Sequence, residues 1–154
     1  MLKFVIVAAL LGHGAVIGVA HAQAYDPAKI GASFPQAAQT SVKFMKCEGR
    51  ACGFQSETPL AAVFFLVDDA GQSVRMLSVT FHASKAPIAV ELMRDALRFA
   101  QYPEVGDIDP LSLMKIATSA GRDVEIQKGL GARLVNLTNI DKNLFSFRFY
   151  RIKD

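Results

Sequence analysis

The only short motif in this chain with chemical content is a pair of cysteines, Cys47 and Cys52. The residues between them are Glu48, Gly49, Arg50 and Ala51. In an oxidising compartment this pair predicts a disulfide, because a hairpin turn brings two Cα atoms to the separation of about 5.5 Å that the bond requires. Closing so small a ring contributes only about 2 kcal/mol. We therefore expect the bond to shape this loop more than to hold the fold together.

Three roles for the cysteine loop follow from its sequence. The first is a structural clip that contacts no partner. The second is a rigid, displayed binding loop whose Glu48 and Arg50 contact another molecule, because ordering a loop in advance lowers the entropy cost of binding. The third is a redox pair, although the spacing is not Cys-x-x-Cys and no helix N-terminus follows to lower a thiol pKa.

The loop also resembles part of a known family. A disulfide-closed Cys-x4-Cys followed by glycine and an apolar strand, here Cys47, Cys52 and Gly53, is similar to the active-site-plugging loop of the periplasmic inhibitors of vertebrate lysozyme. The resemblance covers only this loop and the strand after it, and it implies inhibition of a lysozyme-type hydrolase as an alternative function. That family's loop carries a histidine that enters the lysozyme cleft, whereas the loop here reads Glu-Gly-Arg-Ala. A long helix at 84–101 also departs from the family's mostly β plan.

Histidine is scarce in this chain. His13 and His21 fall within the first 24 residues, which we interpret below as a removable leader, so His82 is the only histidine that the mature chain retains. A zinc site needs three or four ligands, and a Ser-His-Asp triad would have to use His82 without a Gly-x-Ser-x-Gly segment to present the serine. The sequence therefore predicts no metal site, no cofactor and no catalytic residue.

Paired carboxylates are the remaining source of catalysis, because glycosidases need two acidic groups that flank the scissile bond. The clusters are Asp68 with Asp69 and Asp107 with Asp109, and both are typical of turns and helix caps. We expect a protein that is not an enzyme. An enzyme of a kind that the sequence does not reveal is the alternative, and a deep polar pocket at His82, Asp107 or Asp109 would indicate it.

The N-terminal 24 residues have the pattern of a secretory signal peptide. Lys3 supplies the positive start, an apolar run begins at residue 4, and small residues precede possible cuts after Ala22 or Ala24. A retained transmembrane anchor is the alternative, but the apolar stretch is at the short limit of about 17–25 residues and contains several glycines. The sequence predicts a periplasmic or secreted protein with no stable membrane anchor after cleavage.

The charge pattern bears on possible partners. The full chain has a net charge of +3, and removal of Lys3 with the leader leaves about +2. The charges are interspersed, and no block of basic residues indicates nucleic acid or an anionic membrane. Another envelope protein is the partner that the sequence favours, while its identity and the oligomeric state are not indicated.

The elements that must position these residues follow from hydrophobic periodicity. We expect a weakly ordered lead-in at 25–40, with a helical turn after Asp26-Pro27 that ends at Phe34-Pro35, and one domain at 41–154. Strands are predicted at 41–47, 52–58, 60–67, 73–82, 123–127, 132–138 and 144–152. Helices are predicted at 84–101 and from Pro110, capped by Asp109, to Gly121.

The order of three or four strands, two helices and three strands is typical of an α+β fold. We predict an antiparallel sheet of about six strands, arranged as three strands, two helices and three strands, with the helices packed on one face. The aromatic residues of 63–66 and of 145, 147 and 149 are predicted to lie in the core. The combined prediction is a small exported, non-enzymatic binding protein that uses a disulfide-closed loop.

Overall fold

The computed structural model describes residues 25–58, 60–127, 131–137, 140–141 and 143–151. The predicted signal peptide and both possible cuts lie outside the described residues, as do parts of the loops that join the last three strands.

The described chain forms three helices and a seven-stranded antiparallel sheet, so the α+β class is confirmed. The helices are α1 (Pro27–Ala37), α2 (Ala86–Phe99) and α3 (Pro110–Ala120). The strands are β1 (Val42–Glu48), β2 (Ala51–Ser56), β3 (Ala61–Val67), β4 (Val74–His82), β5 (Val124–Gln127), β6 (Ala132–Asn136) and β7 (Leu144–Tyr150).

The strand order across the sheet is β1-β2-β3-β4-β7-β6-β5. Each half of the chain folds as an antiparallel meander, and the two meanders join where β7 pairs with β4. The prediction of about six strands with three on each side of the helices was wrong. The β1–β2 hairpin closes with only two turn residues, so both of its arms pair fully and the first meander has four strands.

Helix α1 is the main departure from the sequence prediction. Residues 25–40 were expected to be weakly ordered, with Pro35 ending any helical turn, yet α1 continues through Pro35 to Ala37. Ile30 and Phe34, four residues apart on one side of the helix, are buried in the core. This burial compensates for the helical hydrogen bond that Pro35 cannot donate.

Both ends of α1 are tied to α2 by hydrogen bonds. The Tyr25 hydroxyl donates to the Phe99 carbonyl oxygen at 3.1 Å, and burial raises the pKa of Tyr25. After the helix, the buried carboxylate of Asp95 accepts a hydrogen bond from the Thr40 amide at 2.7 Å and another from Arg98 at 3.3 Å. The lead-in is therefore part of the packed fold.

The core lies between the helices and one face of the sheet. Alternate strand residues point into it and are buried, among them Val63, Phe65, Leu77, Val79, Phe81, Leu134, Phe145, Phe147 and Phe149. The predicted core position of the β7 phenylalanines is confirmed. The prediction for 63–66 holds only in part, because Phe64 is 40% exposed on the other face.

The predicted start and end of α3 are confirmed. The Asp109 carboxylate accepts hydrogen bonds from the amides of Leu111 and Ser112 at 3.1 and 3.3 Å, and from the Ser112 hydroxyl at 2.6 Å. Gly121 follows the helix with φ of +59°, a conformation that glycine adopts without strain. The Ser112 hydroxyl and amide hold the pKa of Asp109 below its usual value.

This cap leads to a pH-dependent prediction. Because the folded-state pKa of Asp109 is lowered, the stabilisation is present above the ordinary pKa of about 3.9 and is lost as the pH falls through the folded value. Asp109→Asn retains a good capping side chain but cannot titrate. We expect urea unfolding from pH 7 to pH 2 to show a smaller loss of stability in this variant than in the wild type. Parallel stability curves for the two proteins would contradict this assignment.

Candidate functional site

The cysteine loop is the end of the β1–β2 hairpin. Cys47 lies directly opposite Cys52, and Glu48 lies opposite Ala51, so Gly49 and Arg50 alone form the turn. Gly49 has φ of +57° at the first turn position, where the type II′ hairpin turn requires glycine. The disulfide predicted from the sequence is present, with the two Cα atoms 4.1 Å apart.

The disulfide lies on the covered face of the sheet, beneath the first turn of α1. Cys52 is fully buried, and the sulfur atoms of Cys47 and Cys52 lie 3.2 and 3.8 Å from the Pro27 carbonyl oxygen. These are packing contacts, since the sulfur atoms of a disulfide carry no hydrogen. A β-bulge between Phe44 and Lys46 allows Phe44 and Cys47, three residues apart, to share this face.

The hairpin turn is joined to the neighbouring β3–β4 turn. The Arg50 carbonyl oxygen accepts a hydrogen bond from the Val67 amide at 3.0 Å, and the Arg50 guanidinium forms an ion pair with Asp69. The Tyr25 amide donates to the Gly71 carbonyl oxygen at 2.8 Å, which attaches the start of α1 to the same place. We call residues 48–50 and 68–71 the two-turn surface. An open groove runs between these turns and the N-terminus of α1.

The two-turn surface displays charged groups. The side chains of Glu48 and Asp69 are 73% and 86% exposed. Lys46 donates a hydrogen bond to Glu48 at 2.5 Å, and this bond together with the lysine charge lowers the pKa of Glu48. The Ser73 hydroxyl and the Gln72 amide likewise lower the pKa of Asp68. These carboxylates are therefore ionised at neutral pH.

The other residues considered for chemistry lie apart from one another. His82 hydrogen-bonds to Ser84 through Nδ1 and begins the 3₁₀ turn before α2. Asp107 is exposed and lies 3.5 Å from Arg94, while Asp109 caps α3. Among the residues that the structure describes, no three histidine, cysteine or acidic side chains are grouped closely enough to hold a metal ion.

No known protein family, curated protein or solved structure matches this chain. None of the helices in the described part has the length and hydropathy that crossing a bilayer requires. Of the loop residues predicted to bind a partner, Glu48 and Arg50 are displayed on the two-turn surface, whereas the disulfide itself faces α1. Inhibition of a lysozyme-type hydrolase stays a prediction of the resemblance, and no contact in the structure favours it.

The sequence did not reveal a second surface, the open face, which we define as the side of the sheet opposite the helices. Its side chains form rows across the strands, because the antiparallel register places them directly opposite one another. The central row contains Lys46, Gly53, Phe64, Ser78, Arg148, Arg133 and Glu125. The row on one side contains Ala51, Leu66, Met76 and Tyr150, and the row on the other contains Lys43, Gln55, Ala62, Thr80, Ser146 and Val135.

Strand alternation identifies which residues lie on the open face, but the sequence alone does not give the register. The pairing of β7 with both β4 and β6 brings Ser78, Arg148 and Arg133 side by side, although they are far apart in the chain. Local sequence patterns carry no signal for such a cluster.

Proposed function

We propose that this is an exported, non-enzymatic protein that binds another envelope protein through the two-turn surface. The observation that supports this function is the linkage of the two turns by the Arg50–Asp69 ion pair and by the hydrogen bond from Val67 to Arg50. A surface that is ordered before binding loses less conformational entropy when the complex forms.

The disulfide contributes to the same ordering. Packed against Pro27, it fixes the end of the hairpin relative to α1, so the groove between them keeps its shape. The displayed groups have mixed charge, with Glu48, Asp68 and Asp69 beside one arginine. A partner that presents basic groups, with an acidic group for Arg50, would complement this arrangement.

The test is affinity capture from envelope extract with the mature protein, followed by affinity measurement with any captured partner. We expect the double variant Glu48→Ala, Arg50→Ala to bind about tenfold more weakly or worse, because interface arginines are enriched among residues that contribute more than about 1 kcal/mol each. The matched control is Glu91→Ala with Arg94→Ala, which removes the same two residue types from the surface of α2.

Capture should also weaken when a reductant is present throughout, since opening the disulfide releases the hairpin end. Equal capture by the wild type and the Glu48/Arg50 variant would exclude the two-turn surface. Equal loss in the Glu91/Arg94 control would show that charge in general, rather than this surface, determines binding.

A further inference from the structure

The open face carries an uneven distribution of charge. Its cations are Lys43, Lys46, Arg133 and Arg148, and they extend from β1 to β6. Its carboxylates are Glu48 and Glu125, which lie on the two edge strands. Glu48 is paired with Lys46, and the open-face positions of the five strands between β1 and β5 contain no carboxylate. The centre of this face is therefore positively charged.

Arg148 and Arg133 lie directly opposite each other on β7 and β6. Like charges at directly opposed positions destabilise a sheet. Within the described residues neither guanidinium forms a hydrogen bond or an ion pair with another side chain. The neighbour of Arg148 on β4 is Ser78, a small hydroxyl residue, so the arginine has no facing carboxylate on that side either.

An apolar row lies beside these arginines. Leu66, Met76 and Tyr150 are directly opposed on β3, β4 and β7. Phe64 stands next to them, and its ring rests on Gly53, where a Cβ would lie only 3.0 Å from the ring. Phe64 and Tyr150 are 40% and 42% exposed, which leaves two aromatic rings accessible next to the paired guanidinium groups.

We propose that the open face docks on the surface of an anionic phospholipid bilayer. Arg133 and Arg148 bind headgroup phosphates, while Phe64 and Tyr150 lie at the level of the interface. Arginine suits phosphate oxygens because its planar guanidinium donates two parallel hydrogen bonds, and anionic lipid surfaces attract each nearby cation. A phosphate between Arg133 and Arg148 would also neutralise their mutual repulsion.

The spread of the cations favours a lipid surface over an acidic protein segment. Neighbouring strands lie about 4.8 Å apart, so cations distributed from β1 to β6 cover most of the width of the sheet. A bilayer offers phosphates over such a width, whereas one acidic segment would meet only a part of it. This proposal concerns a different surface from the two-turn surface and does not depend on the proposed function.

The test is sedimentation of the mature protein with vesicles of phosphatidylglycerol and phosphatidylcholine, against vesicles of phosphatidylcholine alone. We expect salt-sensitive binding to the anionic vesicles only. Each replacement, Arg133→Gln or Arg148→Gln, should lower the partition coefficient about fivefold, which corresponds to about 1 kcal/mol per cation. The control, Arg94→Gln with Lys115→Gln, removes two cations from the helical side and should bind as the wild type does.

A stability measurement separates lipid binding from a structural role of the arginines. Removing one of two opposed cations relieves repulsion, so Arg148→Gln should unfold at an equal or higher urea concentration than the wild type while it loses vesicle binding. Equal binding to both kinds of vesicle, or unchanged binding after both arginines are replaced, would overturn the proposal. Arginine-dependent binding of polyglutamate without binding to anionic vesicles would identify an acidic protein as the occupant instead.

Discussion

Replacing Phe34 with alanine is expected to lower the free energy of unfolding by about 3–5 kcal/mol, the cost of deleting a fully buried phenylalanine side chain. Phe34 has no solvent exposure, and its ring centroid lies 5.0, 4.9 and 5.2 Å from those of Phe54, Phe65 and Phe99. The substitution therefore removes the ring through which α1 contacts both the sheet and α2.

The matched control for Phe34→Ala is Leu111→Ala, which removes an exposed apolar side chain from α3. Urea unfolding of this variant should differ from that of the wild type by no more than about 0.5 kcal/mol. A loss below about 1 kcal/mol in Phe34→Ala would contradict the packing of α1 and would restore the description of residues 25–40 as a loosely attached segment.

The failure to predict α1 from the sequence has a physical reason. Local signals opposed a helix, because Pro35 lacks an amide hydrogen and Gly31 has a low helix propensity. The stabilising contacts are tertiary, since Phe34 packs on rings supplied by β2, β3 and α2. By contrast, α3 was predicted with its cap and its end because Asp109, Pro110 and Gly121 act through local backbone chemistry.

The strands were predicted well where one face is buried. In β7, Phe145, Phe147 and Phe149 alternate with polar residues, and that period-2 pattern identifies both the strand and its core side. The strand order was not accessible in the same way, because the pairing of β7 with β4 depends on contacts between segments more than sixty residues apart. The sequence thus predicts which residues are buried more reliably than it predicts their neighbours.

The candidate sites divide along the same line. The sequence identified Cys47 and Cys52 as a pair, but the side of the hairpin on which they lie depends on the bulge beside Phe44, which the residue types do not reveal. The open face was missed for a related reason. Its cations are dispersed along the chain, so the absence of a basic block argued against an anionic partner, whereas the register brings Arg133 and Arg148 to directly opposed positions.

Removing the disulfide by the double replacement Cys47→Ala, Cys52→Ala is expected to lower the free energy of unfolding by about 2 kcal/mol. The ring closed by this bond is small, so its effect on the unfolded chain is modest, and most of the hairpin should persist through its pairing with β3. The measurement is urea unfolding of the oxidised wild type against the variant and against the reduced wild type.

The position of the disulfide makes a second, local consequence measurable. Both sulfur atoms pack on the Pro27 carbonyl oxygen, so the variant loses a contact with the first turn of α1. Hydrogen exchange should accelerate at the amides of Lys29 and Ile30, which bond to the Asp26 carbonyl oxygen at 2.8 and 3.0 Å. The Leu113 amide in the first turn of α3 is the internal control and should exchange at the wild-type rate after correction for global stability. Equal acceleration at both helices would mean that the bond acts only through the unfolded chain and does not order the surface to which we assign binding.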